Sequence, residues 1–131
     1  MKILALNTGS SSIKYRLFDG RFRLLEQGLI ERVSDHKKAL KELFANIQGF
    51  DAVGHRIVHG GEKFKKPVLI NKQVIKEIKS LANFAPLHCG PNVAGIEAAR
   101  ELLPDIPQVA VFDTSLNASM EPKAFLYGLP I

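Results

Sequence analysis

Residues 2–19 constrain the fold more than any other stretch of the chain. KILALN, residues 2–7, is a short apolar run of the kind found in a buried strand. TGSSS follows as a tight polar loop. IKYRLFD then alternates Ile13, Tyr15 and Leu17 against Lys14 and Arg16, the period-2 pattern of a strand with one buried face. Asp19-Gly20 is a hairpin signal, and residues 22–33 continue as a third strand. The opening therefore reads as an antiparallel three-stranded meander.

Downstream, the period changes. Ser34 or Asp35 can cap a helix over 36–48, whose Leu40, Leu43, Phe44 and Ile47 fall at helical spacing, with Gly49 to end it. DAVGHRIV, residues 51–58, reads as a strand, followed by the loop HGGEKFKKP. Asn71 can cap a second helix to about Leu81, with Val74, Ile75, Ile78, Leu81 and Ala82 on one face. The loop APLHCGPN precedes a helix from Asn92 to Leu103, and QVAVFD, residues 108–113, is a buried strand ending in an acid. The order is that of an α/β fold with loops gathered after the strands.

The 131 residues suit about one domain. With 46% hydrophobic and 24% charged residues, the composition excludes a disordered or low-complexity chain. Cys89 is the one cysteine, so no internal disulfide can form, and a reducing, cytoplasmic compartment is expected. No apolar run approaches a membrane span, and none is expected to enter a membrane. The net charge is +5, but the basic residues are scattered and not interleaved with aromatics. Nucleic acid is therefore not an expected partner.

Four loops carry chemistry-bearing residues. Asn7-Thr8-Gly9-Ser10-Ser11-Ser12, with Lys14 beyond it, offers backbone N–H groups, hydroxyls and a cation that can converge on a phosphate. It is not a Walker A loop, because it leads into a strand. Arg56 sits near a strand's carboxyl end, where α/β proteins tend to bind ligands, and a guanidinium grips a carboxylate or phosphate through paired hydrogen bonds. His88 lies in a proline-bounded loop before a helix. Asp113 ends a buried strand, where it can hold Mg²⁺, handle a proton or cap a helix in the next segment. Plain structural roles stay open for each. Together they form the parts list for phosphoryl transfer to a small anion.

ILALNTGSSSIKYRLFD, VGHRIVHGGEKF, APLHCGPN with AGIEAARELLPDIPQVAVFDT, and the closing AFLYGLPI together resemble the N-terminal part of the acetate kinase family. Order and spacing follow the family over nearly the whole chain. Propionate and butyrate kinases are similar more loosely. Two segments depart from the family pattern: Ser115-Leu116-Asn117 follows the strand-end Asp-Thr, and Cys89-Gly90 follows His88.

The resemblance implies an actin-like (ribonuclease H-like) ATPase lobe, a mixed sheet that starts with the meander and is flanked by helices. It implies transfer of the ATP γ-phosphoryl group to acetate or another short carboxylate, giving ADP and acetyl phosphate, with Mg²⁺. Asn7 then corresponds to a magnesium-associated residue, and Ser10, Ser12 and Lys14 to phosphate-side residues. Arg56 corresponds to the carboxylate-binding arginine, His88 to a histidine lining the acyl-phosphate site, and Asp113 to the catalytic acid. The family's nucleotide-binding lobe is expected to lie outside residues 1–131, so the chain alone should be inactive. The full-length family forms homodimers. The competing expectation is a non-catalytic binding or regulatory module on the same fold.

Overall fold

The structure, a computed structural model, describes residues 1–58, 63–81 and 86–113, of which 86–89 are described in backbone only. In chain order the elements are β1 (Lys2–Thr8), β2 (Ser12–Asp19), β3 (Leu24–Glu31), α1 (His36–Asn46), β4 (Ala52–Ile57), β5 (Val68–Leu69), α2 (Lys72–Leu81), α3 (Pro86–Leu102) and β6 (Gln108–Phe112). The strands form a six-stranded sheet in the order β3-β2-β1-β4-β6-β5. β1, β4 and β6 run parallel, while β2, β3 and β5 are antiparallel to their neighbours. The expected mixed sheet with a leading meander is thus observed.

The pattern of side chains explains the layering. Register places Leu4 and Leu6 of β1, Val53 and Ile57 of β4, and Ala110 and Phe112 of β6 on one face. That face buries Leu40 and Leu43 of α1, Val74 and Ile78 of α2, and Val93, Ile96 and Ala98 of α3. Phe64 stacks on Phe112 with ring centroids 4.6 Å apart, closing one end of this core. The opposite face carries Ala5, Asn7, Gly54, Arg56 and Val111, with Lys14 and Arg16 from β2.

Both expected helix caps are present. The Asp35 carboxylate accepts from the Lys38 N–H at 3.1 Å, and the Asn71 side-chain oxygen accepts from the Val74 N–H at 2.8 Å. The turn after β2 is longer than Asp-Gly alone implies. Phe22 takes the left-handed φ of 62°, and the Asp19 carboxylate accepts from the Arg21 and Arg23 N–H groups and from Arg23 Nε. β5 has no counterpart in the sequence pattern; it pairs antiparallel to β6 through Val68 and Leu69.

The main correction concerns α3. The expected loop before Asn92 is helical from Pro86 onward, and Pro91 lies inside the helix. Proline at the first helical position has its φ already set and loses no hydrogen bond. Pro91 forfeits one hydrogen bond close to the helix start. The two prolines, loop punctuation by local rules, act here as an unusual helix opening. His88 consequently belongs to the first turns of α3, not to a loop.

Candidate active site at the carboxyl edge of the sheet

β1, β4 and β6 end on the same edge, because they are parallel and adjacent. The first loop leaves β1 as a tight turn closed by the Gly9 N–H donating to the Ser12 carbonyl at 2.8 Å. The turn, the ends of β1 and β4, and α3 surround a cleft of about 440 Å³ lined by Asn7, Thr8, Gly9, Ser10, Ser12, Val58, Pro91 and Asn92. Asn7, Ser10 and Ser12 are thereby brought together around one cleft. Lys14 does not line the cleft; it is exposed on β2, paired in register with Asn7.

Asn92 holds this cleft together. It is 4% exposed. Its Nδ2 donates to the Thr8 carbonyl at 2.8 Å, and its Oδ1 accepts from the Val58 N–H at 3.1 Å. One side chain thus ties the ends of β1 and β4 to α3. One turn later, Gly95 lets the helix approach β1 closely. A Cβ there would stand 2.5 Å from Thr8 Oγ1 and 2.9 Å from Thr8 Cβ, so only glycine fits without displacing the helix. Thr8 Oγ1 itself is buried and has no hydrogen-bond partner among the described residues.

On the neighbouring strand ends, Arg56 and Asp113 are joined to each other. Arg56 Nε donates to Asp113 Oδ1 at 2.9 Å, and Nη2 donates to Oδ2 at 2.9 Å. This is a two-pronged grip, with the two side chains 29% and 23% exposed. The hydrogen bond to Asp113 raises the Arg56 pKa above its ordinary value, outweighing partial desolvation. The guanidinium is therefore already holding a carboxylate. The family resemblance gives these two residues separate roles, Arg56 as the carboxylate-binding arginine and Asp113 as the catalytic acid.

His55 lies next to Arg56 in sequence but points to the helix-covered face. It is buried, and its Nε2 donates to Gln108 Oε1 at 2.7 Å. Burial pushes the imidazole down from 6.5 to about 4, against the opposing effect of the Gln108 hydrogen bond. The folded chain thus keeps His55 neutral where the unfolded chain protonates it. Stability from this group is fully present above pH 6.5 and is lost as the pH falls toward 4. The loss by pH 4 is expected to be about 3 kcal/mol. An NMR titration of the His55 ring should give a midpoint near 4; a midpoint near 6.5 would contradict this account.

The His88 side chain, His59-Gly60-Gly61 and Ser115-Leu116-Asn117 lie outside the described residues. Among the described residues no cluster of three or more His, Cys, Asp or Glu could hold a metal ion. Asn7 supplies a neutral oxygen, and Asp113 is engaged by Arg56. The described residues therefore do not by themselves fit a Mg²⁺ site. No helix among them is long and apolar enough to cross a membrane.

His36, Asn92 and the His55–Gln108 pair are not singled out by the sequence pattern. Asn92 carries a signal, a polar residue before an apolar helical run, but the same signal marks an ordinary helix start.

A sequence model of the Acetokinase family matches residues 33–131. The chain belongs to the acetokinase family. The acetate kinase of Carboxydothermus hydrogenoformans is 41% identical over 99% of the chain and 42% of its own length. The crystal structure of Porphyromonas gingivalis acetate kinase superposes with a TM-score of 0.83 at 33% identity, over 93% of this chain and 39% of that one. A propionate kinase from Francisella tularensis subsp. tularensis SCHU S4 gives 0.79 at 33% identity, over the same shares. The fold is thus the actin-like lobe of acetate kinases, and this acetokinase chain spans about two fifths of the curated relatives' length. The alignment to the Carboxydothermus enzyme runs to 165 positions against 131 residues here, so the relative carries residues within the shared span that have no counterpart in this chain.

Proposed function

We propose that this chain forms the acyl-phosphate side of an acetate-kinase-type phosphotransferase. The observation that carries the reading is the Arg56–Asp113 grip, a guanidinium set to hold a carboxylate at the strand ends beside a serine-rich cleft. In the proposed reaction, a carboxylate oxygen of acetate attacks the γ-phosphorus of ATP. The new O–P bond forms as the bond to the β-phosphate oxygen breaks, releasing ADP and acetyl phosphate.

Acetate is already ionised at neutral pH, so no general base is needed to activate it. The electrostatic obstacle is repulsion between two anions. Arg56 offsets it by binding the carboxylate, which requires Asp113 to yield at least one of its positions on the guanidinium. The Gly9–Ser12 turn supplies N–H groups and hydroxyls to the transferred phosphoryl group, with Lys14 adding charge from β2. His88 is proposed, on the family resemblance, to line the acyl-phosphate position. Mg²⁺ would arrive with the nucleotide, whose phosphates supply ligands that the described residues lack.

The whole enzyme is proposed to be a cytoplasmic homodimer, with residues 1–131 as one N-terminal domain and the nucleotide lobe contributed by the remaining family length. Propionate stays a second substrate, because a propionate kinase superposes at the same identity as an acetate kinase. One methylene is worth only about 1–3 kcal/mol in a pocket. The purified chain is expected to bind acetate, with shifts at Arg56 and Asp113, yet to form no acetyl phosphate from ATP. Sustained ATP-dependent acetyl phosphate formation would refute the division into lobes. Absence of acetate-induced shifts would refute the site.

A further inference from the structure

His36 is the first residue of α1, a helix anchored in the core by Leu40 and Leu43. Its Nε2 lies 2.7 Å from the Gly9 carbonyl oxygen, in a partly buried contact. A carbonyl only accepts, so Nε2 carries the hydrogen. Both the Nε2–H neutral tautomer and the imidazolium satisfy this contact.

A trans peptide points its C=O and the following N–H in opposite directions. Holding the Gly9 carbonyl toward α1 therefore aims the Ser10 N–H away from α1. The cleft beside the turn is lined by β1, the turn, Val58 and α3, with no residue of α1. Two further carbonyls of the turn are engaged, that of Ser11 by the Val33 N–H at 2.9 Å and that of Ser12 by the Gly9 N–H. Among the described residues, the Ser10 and Ser11 N–H groups have no partner. The turn thus occupies the Gly9, Ser11 and Ser12 carbonyls and leaves two N–H donors for an anion.

We propose that His36 is a positioning residue for the Gly9–Ser12 anion cradle, fixing the orientation of the Gly9–Ser10 peptide. The proposal rests on the reading of this turn as the phosphoryl-binding loop. Glycine at position 9 makes the peptide free to rotate once the tether is lost. The turn would then present a carbonyl oxygen where a phosphate needs a donor.

The test is a titration of the full chain with inorganic phosphate, monitored through the amide resonances of Gly9–Ser12. In the wild type these resonances should move saturably. His36→Ala should weaken phosphate binding about three- to tenfold, the worth of one positioned hydrogen bond. His36→Gln, which keeps a side-chain N–H donor, should recover most of the loss. The ring tautomer of His36 in the wild type gives a readout that needs no variant, and it should be Nε2–H. Wild-type amides that ignore phosphate would overturn the loop reading and the proposal with it. A wild type that binds while His36→Ala binds equally, or a neutral Nδ1–H tautomer, would overturn the proposal alone.

Discussion

Asn92→Ala should lower stability by about 2–4 kcal/mol, roughly a 10 °C fall in melting temperature for a domain of this size. The substitution removes both bonds that close the cleft, leaving the Thr8 carbonyl without its donor and the Val58 N–H without its acceptor. Thr8 is 3% exposed, so water does not replace the lost donor there. The isosteric Asn92→Asp separates shape from hydrogen bonding. It keeps an acceptor for Val58 but sets a carboxylate oxygen against the Thr8 carbonyl, and at neutral pH it should cost at least as much as alanine. Urea melts of the three proteins check this. An alanine variant within about 0.5 kcal/mol of the wild type, the usual range for an inconsequential surface change, would show that the strand ends are held by something else.

Arg56→Ala should abolish most acetate recognition. A hydrogen bond to a charged group contributes about 1.5–3 kcal/mol, so losing a paired grip should weaken acetate binding by about thirtyfold or more. The same change strands the Asp113 carboxylate at its partly buried position. Arg56→Lys keeps the charge but not the fork, and it should recover only part of the loss. In the complete enzyme, the expected kinetic result is a raised KM for acetate together with a lowered kcat. A variant that leaves both unchanged would remove Arg56 from the site.

The meander, the central strand 51–58 and the helices capped by Asp35 and Asn71 are legible in the sequence because each rests on local chemistry: alternation, a capping oxygen or helical spacing. β5 is not legible, since Val68–Leu69 becomes a strand only by pairing with β6. The start of α3 is misleading because Pro86 and Pro91 each signal a break locally, and packing of Val93 and Ile96 against the sheet overrides them. Asn7, Ser10, Ser12, Arg56 and Asp113 can be chosen from residue type and position. Their pairing cannot. That Arg56 holds Asp113, and that His36 reaches Gly9, depends on strand order and on where α1 docks.

The hydrogen bond from Asn92 to Thr8 joins positions 84 apart in the chain. The loss of chain entropy on bringing such distant segments together comes before the contact can offset it. The meander, by contrast, closes through neighbouring turns. As the chain emerges during synthesis, β1–β3 can assemble well before Asn92 has left the ribosome. The cleft therefore exists only once α3 has swung back onto the first strand. Its completion is a late event, and the chemistry of the carboxyl edge is tied in time to the docking of that helix.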